Sequence, residues 1–150
     1  MSHARAKRLQ PLITIAQKSA QEALGYMGNI QQRIDGEKEK KQTLLQYQLD
    51  YRQNFNRQGR DGVSGLQIQG FESFILQIEQ ALTQQEQQQQ QLEHQFKEAQ
   101  KIYQSLNMRL KSYEKLQSRL SEQAQQQDNK QMQKLLDEMG AQIHRLRHGK

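Results

Sequence analysis

Cysteine and tryptophan are absent from this 150-residue chain, and proline and valine occur once each. Without cysteine there is no disulfide, no thiolate metal site and no thiol nucleophile. With a single valine and few aromatics, β-strands lack the residues that favour them, and a sheet protein is excluded. Apolar residues make up only 33% of the chain, against roughly 45–50% in ordinary soluble domains. That is too little for a normal globular core. No apolar run approaches the ~18–20 residues needed to span a bilayer. Near the N-terminus, Leu9 to Ala16 is interrupted by Gln10, Pro11 and Thr14. Neither a signal peptide nor a membrane anchor is expected, and a cytoplasmic protein is the default.

Gln, Glu, Lys, Arg, Leu and Ala dominate instead, all strong helix formers, with a net charge of +6. Glycines cluster in one place, where Gly59, Gly62 and Gly65 lie in the segment 57–65 between two long Gln- and Leu-rich stretches. This pattern predicts a loop between two helices. Gly25, Gly28 and Gly36 stand alone in a helical pattern; each costs about 1 kcal/mol relative to alanine without ending a helix.

The first stretch carries two rows of seam residues spaced by seven. One is Leu9, Ala16, Ala23, Ile30, Glu37, Leu44, Tyr51; the other is Ile13, Ala20, Met27, Ile34, Lys41, Gln48, Phe55. Their offsets of three and four make them the d and a rows of a coiled coil. The second stretch repeats the pattern with Phe71, Ile78, Gln85, Leu92, Ala99, Leu106, Tyr113, Leu120 at d. Its a row is Ile75, Leu82, Gln89, Phe96, Tyr103, Leu110, Gln117, Ala124.

An antiparallel hairpin turning near residue 63 pairs these rows so that their polar interruptions coincide. Lys41 faces Gln85 and Glu37 faces Gln89, while Ala16 faces Leu110, Ala23 faces Tyr103 and Ile30 faces Phe96. A central polar layer fixes register at some cost in stability. The expected fold is thus all-α: a long two-helix antiparallel coiled-coil hairpin with an extended C-terminal helical tail. Helix 1 is placed at about 8–57, the loop at about 58–65 and helix 2 at about 66–125, within a single coiled-coil domain covering 1–150. At ~1.5 Å per residue the paired part is a rod of about 70 Å. In this register the first helix runs out near Leu9, opposite Gln117. The excess of helix 2 is an unpaired tail whose apolar residues resume out of phase as Met132, Leu136, Met139, Ile143 and Leu146. It is expected to meet a partner or to fray in part up to residue 150.

No catalytic constellation is present. His3, His94, His144 and His148 are scattered; only His144 and His148 share a helical spacing, and they have no third ligand nearby. The glycine loop follows no strand and lacks the Lys-Ser/Thr ending of a phosphate loop. A two-helix rod has no cavity to exclude water. No enzyme activity, cofactor or metal is therefore expected. Basic residues gather at Arg5, Lys7 and Arg8, at Lys111, Lys115 and Arg119, and at Arg145, Arg147 and Lys150. Acidic residues are interleaved along most of the rod and no stacking aromatics accompany the basic groups, so nucleic acid is not the expected partner. The Gln84–Gln91 run lies inside a persistent heptad and reads as a solvated helix face.

Near the loop, Tyr47 and Phe74 fall at g, beside the seam, and Lys40 and Ala81 share that flank. Leu44, Tyr51 and Ile78 occupy the adjoining d row. Two readings are open: the aromatics widen a thin seam, or they form a partner-docking patch.

Three segments taken together, Arg8-Leu-Gln-Pro-Leu12, Tyr47-Gln-Leu-Asp-Tyr51-Arg and Phe71-Glu-Ser-Phe74-Ile-Leu-Gln-Ile78, resemble the FliJ family of the flagellar type III export apparatus. The resemblance covers essentially the whole chain. It implies a non-catalytic, stalk-like antiparallel coiled coil similar to the central stalk of rotary ATPases. Such a protein is a cytoplasmic monomer, peripherally associated with the inner-membrane export apparatus. It links the ring of the export ATPase FliI to the export gate protein FlhA and escorts export chaperones. By matching position, the resemblance assigns gate binding to Tyr47, Tyr51, Phe74 and Ile78, supported by Leu44 and Ala81. It places ATPase binding at the other end, with Leu9, Leu135, Leu136, Met139 and Arg145 as candidates. The alternatives are a virulence-type III secretion stalk, a nucleic-acid-binding or scaffolding coiled coil using its basic ends, and an oligomer without a specific partner.

Overall fold

A computed structural model describes residues 2–148. It contains two α-helices, α1 (Ser2–Gly59) and α2 (Gly65–His148), packed against each other as a coiled-coil hairpin. Every position of the four seam rows is buried or half-buried, and nearly all the rest of the described surface is exposed. Burial thus follows the heptad rather than the total apolar content, which is why so polar a chain still packs.

The chain divides into two compact units. The loop-proximal unit covers Ala23–Tyr103 and the terminal unit covers Met1–Glu22 with Gln104–Lys150. In the loop-proximal unit the core is Ile30, Ile34, Leu92 and Ala99, with Met27 and Phe96 packed against it. Those partners are the ones a turn near residue 63 dictates. The polar layer lies in the same unit. Gln85 is buried, and its Nε2 donates to the main-chain carbonyl of Glu37 at 2.6 Å and to Gln89 Oε1 at 3.3 Å. Its Oε1 is buried without a hydrogen-bond partner. Lys41 reaches Glu86 at 3.6 Å.

The turn has its own local chemistry. Successive amides of Arg60, Asp61 and Gly62 donate to the carbonyls of Arg57, Gln58 and Gly59 at 3.1–3.3 Å, tightening the end of α1. Gly62 then takes φ +92°, a conformation that side chains resist. Helix α2 starts with a reciprocal cap, in which the Gln67 amide donates to Ser64 Oγ at 3.2 Å and the Ser64 amide donates to Gln67 Oε1 at 2.9 Å. This Ser-x-x-Gln box sets the start of α2.

In the terminal unit the pairing runs about two turns further toward the N-terminus than the sequence reading placed it. Helix α1 begins at Ser2 rather than near residue 8, which moves Pro11 from its first turn to its third. The reason is packing: Ala6 continues the seam and is buried, and Gln117 Nε2 donates to the Ala6 carbonyl at 3.1 Å and to Gln10 Oε1 at 3.0 Å. His3 Nε2 lies 2.8 Å from Asp128 Oδ2. Helix α2 is also continuous through the seam break to His148, past the boundary expected near residue 125. Its glutamines supply part of the reason, since Gln125 donates to Asn129 and Gln133 to Asp137 along the helix surface.

Candidate partner-docking surfaces

The first candidate surface lies beside the turn, on the loop-proximal unit. Across the hairpin the rings of Tyr51 and Phe74 are 4.0 Å apart between centroids and tilted by 36°. Tyr51 also stacks on Phe71 at 5.6 Å, and Phe71 on Phe55 at 4.0 Å. Four rings therefore form a ladder that fills the seam near the loop. Phe55 and Phe71 were legible as seam residues, but ring stacking depends on side-chain rotamers, which periodicity does not encode.

The ladder changes how the candidate residues present themselves. Tyr51, Phe74, Leu44 and Ala81 are half-buried, and Ile78 is buried at 6% exposure, a core side chain. Tyr47 alone of this group is well exposed, at 60%. The structure brings Tyr51 and Phe74 into contact and leaves Tyr47 projecting next to them. Widening of the seam and an exposed ring coexist here, each carried by different residues.

The second candidate surface is on the terminal unit. Beyond Asp128 no residue of α2 up to His148 is buried, and Met132, Leu135, Leu136, Met139, Ile143 and Leu146 are all uncovered. Apart from Leu135 they recur at intervals of four and three, a second heptad seam without a second helix. Arg145 is exposed beside it, whereas Leu9 is half-buried in the α1–α2 seam and is not part of that stripe. The ring centroids of His144 and His148 are 4.7 Å apart. Among the described residues no group of three or more His, Asp or Glu is placed to hold a metal ion, and no helix is long and apolar enough to cross a membrane. The hollows on the described surface are open grooves, such as that lined by Lys38, Lys41, Gln42 and Gln89.

Fold and surfaces together define a two-helix coiled-coil protein with exposed apolar side chains beside the turn and along the end of α2. The family model for the flagellar FliJ protein matches residues 5–149. The chain belongs to the FliJ family, and with it to the flagellar type III protein-export machinery, in which that family is a non-catalytic component. Comparison with curated proteins and with solved structures gave no match.

Proposed function

We propose that this protein couples the export ATPase FliI to the export gate protein FlhA, and that it escorts export chaperones between rounds of export. The gate contact is assigned to the loop-proximal unit, with Tyr47 as the exposed anchor and Leu44, Tyr51, Phe74, Ile78 and Ala81 shaping the surface around it. The ATPase contact is assigned to the terminal unit, on Leu135, Leu136, Met139 and Arg145, with Leu9 holding α1 in place. The protein acts as a monomer in the cytoplasm and reaches the membrane only through the gate.

The observation that best supports this reading is the bare apolar stripe of α2 after Asp128. A lone amphipathic helix gains its stability from a partner that covers that stripe. An exposed tyrosine over a packed aromatic base is likewise suited to anchor a contact. No residue of the chain does chemistry in this reading; it acts by binding two proteins at once. The test is a pair of binding measurements with purified FliI and the cytoplasmic part of FlhA. Removing residues 129–150 is expected to abolish binding to FliI and spare FlhA, and Tyr47→Ala to weaken FlhA and spare FliI. Loss of both contacts with either change, or of neither, overturns the assignment.

A further inference from the structure

The two flanks of the loop-proximal unit differ in chemistry. On one, α2 presents Glu72, Glu79, Glu86 and Glu93, all exposed and spaced by seven. These occupy the e row. On the other, the g row, α2 presents Ala81, Gln88, Gln95 and Ile102, without a single acid. In an antiparallel pair g lies along g, so α1 adds Tyr26, Arg33, Lys40 and Tyr47 to this second flank, again spaced by seven.

Exposed apolar groups close both ends of that row. Tyr26 is 57% exposed and pairs by register with Ile102, which is 58% exposed; at the other end the same register pairs Tyr47 with Ala81. Neither Tyr26 nor Ile102 belongs to the aromatic ladder or to the seam. Between the ends stand two cations facing glutamines. Arg33 has no ion-pair partner among the described residues, and Lys40 is 3.4 Å from Glu37 with its own side chain still 72% exposed. The Glu37 side chain is only 14% exposed, so the outer side of the Lys40 ammonium is left open to a second acceptor.

We infer that this flank is a binding ledge for one amphipathic helix of a partner protein, apolar at both ends and acidic between them. From Tyr26 to Tyr47 the row covers three heptads, about 30 Å of helix, which a partner helix of about 20 residues matches. The Tyr26–Ile102 end holds one apolar anchor and the Tyr47–Ala81 end the other, while Arg33 and Lys40 meet carboxylates in the middle. On the opposite flank α1 sets Lys38 and Arg52 along the four glutamates, and Lys41 lies 3.6 Å from Glu86, so that flank keeps an acidic excess and disfavours the same helix. The ledge shares Tyr47 with the proposed gate contact and deepens that reading by naming the chemistry of what lies on it.

The test uses the full chain and two fluorescent 21-residue helical peptides with leucines in the same two terminal turns. One carries glutamates in its middle turns and the other carries lysines there. The acidic peptide is expected to bind, with affinity falling as salt rises, and the basic one to bind at least tenfold more weakly. Tyr26→Ala combined with Ile102→Ala is expected to lower affinity for the acidic peptide about tenfold or more with unchanged helicity, since both side chains are exposed. Arg33→Glu with Lys40→Glu is expected to reverse the preference between the peptides. Equal binding of both peptides, or indifference to the Tyr26/Ile102 change, overturns the ledge. Binding of FlhA to Tyr47→Ala, measured alongside, separates the two ideas. A gate contact insensitive to Tyr47 refutes the gate assignment while a charge-selective peptide response still upholds the ledge.

Discussion

The side-chain amide of Gln85 crosses the hairpin and donates to the main-chain carbonyl of Glu37 at 2.6 Å, leaving its own oxygen buried and unpaired. One half of this residue ties α2 to one position on α1, and the other half is a standing cost. A hydrogen bond of this type contributes about 1 kcal/mol net, while a buried unsatisfied group costs about 1–3 kcal/mol. Gln85→Leu is therefore expected to stabilise the protein by about 1–2 kcal/mol and to loosen its register. Thermal melts check the first effect. Distance distributions between spin labels at Lys38 and Gln88 check the second, and a sharp unchanged distribution would assign register to the apolar seam alone.

Phe74 and Tyr47 separate stability from binding. Phe74 packs on Tyr51, so Phe74→Ala is expected to cost about 1 kcal/mol of stability as well as any contact it makes with a partner. Tyr47 is exposed and stacks on no other ring, and Tyr47→Ala is expected to stay within about 0.5 kcal/mol. Denaturant unfolding of the two single variants distinguishes them. Equal losses would place Tyr47 in the ladder and disqualify it as a docking anchor.

Among the described residues, truncation after Asp128 removes none that is buried, because the last buried position is Ala124. The hairpin is expected to melt within a few degrees of the full chain, with helical signal reduced by the share the tail contributes. Circular dichroism measures both. A collapse of the melting temperature would show that the tail is folded onto the hairpin.

The cap at the turn is worth testing by itself. Ser64→Ala with Gln67→Ala removes both reciprocal hydrogen bonds and is expected to cost about 1–2 kcal/mol. Gly62→Ala adds strain at φ +92° and is expected to cost about a further 1 kcal/mol. Additive losses in urea unfolding check that the turn is stabilised locally, and no loss from the first pair would assign the start of α2 to packing.

Much of the molecule was legible because burial in a two-helix coil is one-dimensional. Ile30 opposite Phe96 and Lys41 near Gln85 follow from spacing and the place of the turn, with no need to know a side-chain rotamer. What stayed hidden depended on a third dimension or on a competing rule. The seam rows begin at Leu9, yet Ala6 packs before them and Gln117 anchors that turn, so α1 starts earlier than the apolar spacing indicates. The Tyr51–Phe74 contact decides which aromatic is exposed, and it rests on ring orientation. On the tail, the stripe from Met132 to Leu146 was plain from spacing, while its continuous helix also draws on the glutamine bonds along its surface.

Pro11 has no amide hydrogen to give to the carbonyl of Lys7, so one rung of α1 is missing near its beginning. The turns before it are fastened sideways, by the tuck of Ala6, by His3 against Asp128 and by one glutamine reaching over from the neighbouring helix. Gln117 is in effect the latch of the amino-terminal segment. A protein that claimed that one amide for itself would leave the first two turns hanging on Ala6 and the His3–Asp128 contact alone.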